Sequence, residues 1–137
     1  MDNKNLNWAY KIQETLYSMG VRHVCICPGA RNTALTIAFT NKSKVNATSH
    51  IDERSAGYFA LGLSKKTIIP TVIITTSGTA VSNLFPSVIE AYMSSTPMIV
   101  LTADRPKNLV GTGANQTINQ YNIFKDYVKS FIDFSKF

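Results

Sequence analysis

The strongest constraint on this chain's fold is an alternation. Short apolar runs rich in β-branched residues are separated by longer stretches with helical spacing. VRHVCIC (21–27), TVIIT (71–75) and PMIVLTA (97–103) are such runs, and VNATSHI (45–51) is a weaker one. Leu6, Ala9, Ile12, Leu16 and Met19 recur at helical spacing and stop at Gly20. Residues 33–40, 56–63 and 78–93 also read as helices. Residues 104–120 are polar and carry glycines, which marks a loop; residues 121–127 read as helical and 128–134 as extended. Strands that are apolar throughout, each followed by a helix, predict a parallel sheet covered on both faces. The expected fold class is α/β: a three-layer α/β/α arrangement around a doubly wound parallel sheet, in one domain over residues 1–137.

Composition narrows the function classes. The net charge is +6, from 14 Lys and Arg against 8 Asp and Glu. The basic residues are scattered, and Lys65-Lys66 is the only adjacent pair. Without a basic stripe or a recognition motif, nucleic acid is not the expected partner, and small anions suit the charge better. No apolar stretch approaches the length of a membrane span, so no membrane partner is expected. The two cysteines, Cys25 and Cys27, are two apart in a strand-like run and face the same way. With His23 they form HVCIC, but no second cysteine pair completes a zinc pattern, so no metal site is expected. Buried reduced thiols fit better and point to a reducing, cytoplasmic setting.

In open α/β sheets, ligands bind where strands end and helices begin. Four such junctions carry polar residues. In CPGARNTAL, Pro28 and Gly29 stop a strand, and Arg31 and Asn32 open a helix. A cation opposes the helix dipole there, so Arg31 is either a solvated surface arginine or an anion ligand acting with free backbone N–H groups. In TTSGTAVSN, Ser77, Gly78 and Thr79 lie between strand and helix. They either cap the helix or let a ligand approach the backbone closely. The stretch contains neither a Walker motif nor a nucleophile elbow. In LTADRPKNLVGTGANQTINQ, Asp104 and Arg105 leave a strand end, and Asn115, Gln116 and Asn119 lie in the loop beyond it. Arg105 could pair with Asp52, Glu53 or Asp104. In SHIDERSAGYFALGLS, Asp52 and Glu53 precede a helix, where the dipole favours both acids. The alternative is that one of them is a functional carboxyl.

CPGARNTAL, HIDERSAGYFALGLSK, TTSGTAVSNLFPSVIEAY, PMIVLTADRP and GANQTINQ occur in that order. Together they resemble the N-terminal pyrimidine-binding (Pyr) domain of the SEPHCHC synthases (2-succinyl-5-enolpyruvyl-6-hydroxy-3-cyclohexene-1-carboxylate synthases). These are thiamine-diphosphate enzymes of menaquinone biosynthesis. Carboligases of the acetolactate-synthase type share the layout, but typically carry an HEQGA-like stretch where this chain has DERSA.

The resemblance implies a thiamine-diphosphate-binding fold, cut before the last helix and strand of the domain. It implies that Glu53 faces N1′ of the cofactor's aminopyrimidine, with Pro28, Gly29, Ser77, Gly78 and Thr79 beside the cofactor. It implies that Arg31, Arg105, Asn115 and Gln116 meet the substrates 2-oxoglutarate and isochorismate. Ala30 stands where the family commonly has serine, so a hydroxyl near the substrate is absent. The central and diphosphate-binding domains, including the GDG…N motif that holds Mg²⁺, are missing from this sequence. The full enzyme is expected to be a cytoplasmic transferase and a homodimer or tetramer, with the isolated chain inactive. Another thiamine-diphosphate carboligase and a non-catalytic α/β anion-binding module are the alternatives.

Overall fold

A computed structural model describes residues 4–41 and 44–136. Helix α1 (Lys4–Ser18) leads into strand β1 (His23–Ile26), and a 3₁₀ turn (Ala30–Asn32) opens α2 (Thr33–Thr40). Strand β2 (Asn46–Ser49), helix α3 (Glu53–Thr67) and strand β3 (Thr71–Thr75) follow. Two helices, α4 (Thr79–Ser82) and α5 (Phe85–Met93), then precede strand β4 (Met98–Thr102). The four strands form one parallel sheet in the order β2-β1-β3-β4.

Period-two alternation along the strands sorts the core into two layers. Val24 and Ile26 of β1, with Val72 and Ile74 of β3, pack against α1 and α2 through Ala9, Ala38 and Phe39. Cys25, Cys27 and Ile73 point the other way, against Ala56 and Ala60 of α3, Leu84, and Val88 of α5. The chain is therefore doubly wound, with helices on both faces. It leaves β1 in one direction toward β2 and returns past it to β3. The carboxyl ends of β1 and β3 flank the point where the winding reverses.

Burial separates inner from outer strands. All five residues of β3 are buried, whereas all five of β4 are half-buried and all four of β2 are exposed. β2 and β4 are the sheet edges, so each lacks a neighbour on one side.

Three elements differ from the sequence expectation. The helix expected over 78–93 is two helices, because residues 83 and 84 form a turn and Pro86 sits in the first turn of α5. Proline lacks an N–H and favours a helix start over its interior. The helix expected over 121–127 is a series of turns ending in a 3₁₀ turn, Lys125–Tyr127, and 128–134 contains no strand. This segment is held by side chains instead. The ring of Phe85 meets those of Phe124 and Tyr127, and that of Tyr92 also meets Tyr127. Further on, Phe134 lies edge-on to Trp8 of α1. The segment thus runs from α5 across to α1.

Candidate functional site

The turns after β1 and β3 touch. A Cβ on Gly29 would lie 2.6 Å from the Thr76 Cβ, so only glycine lets the two backbones come this close. The turn is clamped by Asn32, which is 1% exposed. The Gly29 N–H donates to Asn32 Oδ1 at 2.9 Å, and Asn32 Nδ2 donates to the Cys27 carbonyl at 2.8 Å. The sequence reading placed Asn32 at this junction without assigning it a role. An asparagine three residues after the glycine of a strand-ending turn was the available signal. Pro28 and Arg31 are exposed on the same turn.

The turn after β3 is joined to the 104–120 loop. Gly78 has φ 77° and ψ −136°, a region that side chains exclude. A Cβ there would also lie 2.7 Å from the Gln116 carbonyl oxygen. Ser77 Oγ donates to that same carbonyl at 3.0 Å. The Gly78 N–H donates to Gln120 Oε1 at 3.0 Å, and Gln120 Nε2 donates to the Ala103 carbonyl at 2.8 Å. Ser77 does not cap α4 with its side chain, and Gly78 is the N-cap residue. Thr79 is exposed at the first position of α4. Gln120 went unassigned in the sequence, where nothing separates it from the other polar residues of its loop.

The acidic pair at the start of α3 is divided. Asp52 is the N-cap, and its Oδ1 accepts the Ser55 N–H at 2.8 Å. That bond holds the Asp52 carboxyl below the usual carboxylate range. Glu53 takes no part in the cap. Asn83, in the turn between α4 and α5, donates from Nδ2 to Glu53 Oε2 at 3.2 Å. Among the described residues, Oε1 of Glu53 has no hydrogen-bond partner. Burial pushes the Cys27 thiol up to about 12, and the next cause is the nearby Glu53 carboxylate. Glu53 therefore sits close to the end of β1, at the point where the winding reverses. It is half-buried within this chain. Ala56 lies inside the core, and the Phe59 ring meets that of His50 at a tilt, with centroids 5.0 Å apart.

The two arginines stand apart from the acids. The salt bridges among the described residues are Lys65–Glu90 and Lys107–Asp133, so Arg105 forms none of its expected pairs with Asp52, Glu53 or Asp104. The Arg105 N–H instead donates to Asp104 Oδ1. Its side-chain Nε is sealed from solvent without a hydrogen-bond partner, an unmet donor that costs free energy. Burial raises the Asp104 carboxyl, and Asp133 adds to the rise. A cavity of about 1340 Å³ flanks β4, lined by Arg31, Asp104 and Gln120 together with α1, α5 and the 122–135 segment. Glu53 and Gln116 do not line it. Asn115 and Gln116 are exposed beside the turn after β3.

Glu53 fits an aminopyrimidine in that it offers, near the end of β1, a carboxylate oxygen without a hydrogen-bond partner among the described residues. Among the described residues, no three His, Cys, Asp or Glu side chains come together. No helix is long and apolar enough to cross a membrane among the described residues.

The chain is 48% identical over 131 residues to the 2-succinyl-5-enolpyruvyl-6-hydroxy-3-cyclohexene-1-carboxylate synthase of Halobacterium salinarum, covering 96% of the chain. It is 51% identical over 125 residues to the enzyme of the same name from Shewanella halifaxensis, covering 91% of the chain. In both cases it spans 22% of the relative's length. Residues 7–123 match the family described as "Thiamine pyrophosphate enzyme, N-terminal TPP binding domain", and the chain belongs to that family.

Proposed function

We propose that this chain is the pyrimidine-binding part of a transferase that decarboxylates 2-oxoglutarate and joins the remaining succinyl-semialdehyde unit to isochorismate, a step of menaquinone biosynthesis. Bound thiamine diphosphate supplies the thiazolium carbon that adds to the 2-oxo acid. The residue that holds or releases a proton at the aminopyrimidine N1′ is Glu53. Asn83 occupies Oε2 and steadies the side chain, which leaves Oε1 for the ring nitrogen. The division of the acidic pair carries this reading: Asp52 caps α3 and frees Glu53 for chemistry.

The other residues bind and orient. Pro28, Gly29, Ser77, Gly78 and Thr79 form the thin wall against the cofactor. Arg31 and Arg105 take substrate carboxylates, for which a guanidinium is a bidentate partner. Asn115 and Gln116 add polar contacts from the loop. The diphosphate and Mg²⁺ are held by a part of the enzyme outside this segment, in keeping with relatives several times its length. A second protomer of a cytoplasmic homo-oligomer closes the half-open carboxyl, and the isolated chain does not turn over.

The test is Glu53→Gln in a polypeptide that joins this segment to a diphosphate-binding part. General acid–base catalysis contributes roughly 10²–10⁴-fold, so a loss of that order in carboligation is expected, with an unchanged circular dichroism spectrum. Near-normal carboligation would overturn the assignment. Tight binding of inorganic phosphate by the isolated chain would favour an anion-binding module instead.

A further inference from the structure

We propose that Gln120 is a positioning residue that docks the 104–120 loop onto the turn after β3 and thereby sets where Asn115 and Gln116 stand. The docking stands on geometry alone, whereas its consequence for substrate binding rests on the function proposed above.

Gln120 is 8% exposed, unusually enclosed for a loop glutamine. Its single amide group joins backbone atoms from two different strand ends: Oε1 accepts the Gly78 N–H at 3.0 Å and Nε2 donates to the Ala103 carbonyl at 2.8 Å. The Ala103 N–H in turn donates to the Thr75 carbonyl at 3.0 Å. The ends of β3 and β4 are therefore already paired when the loop returns, and Gln120 ties the loop to both. Four residues earlier a second anchor holds the same loop, where Ser77 Oγ donates to the Gln116 carbonyl. Gln116 itself has φ 52°, a left-handed conformation that a non-glycine residue keeps only when its surroundings enforce it. Gln116 is thus held at the Ser77 bond, four residues before the Gln120 clamp, and Asn115 directly precedes it.

The clamp needs an amide. Glutamate could accept from Gly78 but would turn a carboxylate oxygen toward the Ala103 carbonyl. Methionine fills the same space and makes neither bond. No other uncharged side chain of this length accepts and donates at once, which gives a chemical reason for glutamine here.

The experiment compares Gln120→Met and Gln120→Glu with the parent. In this chain, amide hydrogen exchange of Gly78 is read by NMR, with the β1 amides as control. Losing the acceptor is expected to speed Gly78 exchange roughly tenfold in the methionine variant, and less in the glutamate variant, which keeps it. In the joined enzyme, KM for the two acids should rise roughly tenfold in both variants, while kcat moves less than about twofold, as expected for lost positioning of bound substrate. Unchanged Gly78 exchange in the methionine variant overturns the docking. Faster exchange with unchanged KM overturns the positioning role, as does failure of both variants to fold, which would make Gln120 a core residue. If Glu53→Gln keeps its activity, the proposed function fails, yet Gly78 exchange still decides the docking.

Discussion

The buried thiols of Cys25 and Cys27 report on the site at the scale of single residues. Both are enclosed by the α3 face of the sheet, and burial raises both. Cys27 reaches about 12 because the Glu53 carboxylate adds to the effect. A thiolate is the reactive form, so neither cysteine should react with iodoacetamide in the folded chain at pH 8, as mass spectrometry would show. The same shift sets a pH dependence. In the unfolded chain Cys27 loses its proton near the ordinary thiol value of about 8.5, while the folded chain keeps it up to about 12. Stability is therefore complete below the unfolded value and falls as pH rises through that window, by up to about 1.4 kcal/mol per unit. Cys27→Ser should flatten this alkaline decline in denaturant titrations, and an unchanged slope would contradict it. The adjacent Asp52 and Glu53 were legible as a pair. Which one capped the helix was not, because that depends on which carboxylate reaches the Ser55 N–H.

Close helix packing controls the site at the scale of elements. Gly57 of α3 faces Ser87 of α5, and a Cβ on Gly57 would collide with the Ser87 Oγ and Cβ. The Ser87 hydroxyl is itself buried and donates to the Leu84 carbonyl, so it cannot simply swing away. Gly57→Ala should therefore push α3 from α5 and cost about 1–3 kcal/mol, the range for an overpacked core, despite the better helix propensity of alanine. Urea denaturation measures it, and a neutral or stabilising result would mean that the two helices separate freely. Because Glu53 sits on α3 and its partner Asn83 precedes α5, the same displacement would stretch the bond between them. Helix spacing in the sequence located α3 and most of α5 but missed the break at residues 83 and 84. Apolar periodicity runs through a one-turn interruption, and only Pro86 hinted at it.

Protection from exchange should follow the sheet order across the whole molecule. β1 and β3 are paired on both sides, whereas β2 and β4 each have one neighbour. Amides of β3 should exchange at least roughly tenfold more slowly than those of β2, measured by NMR hydrogen exchange, because edge strands open without breaking the core. Equal rates would show that the sheet opens only as a unit. The α/β class, the strand positions and their parallel pairing were readable from the chain alone, since apolar runs and helical spacing record which faces must be buried. The junction residues Pro28, Gly29, Ser77, Gly78, Arg105 and Gln116 were readable too, because strand ends are marked by glycine, proline and polar side chains. The path of residues 121–134 was not readable: aromatic contacts with α5 and α1 hold it without backbone periodicity. Nor were the clamps by Asn83 and Gln120, which join residues 30 and up to 42 positions apart. Local patterns record burial and turn chemistry. A hydrogen bond between distant loops exists only once the sheet has brought the strand ends together.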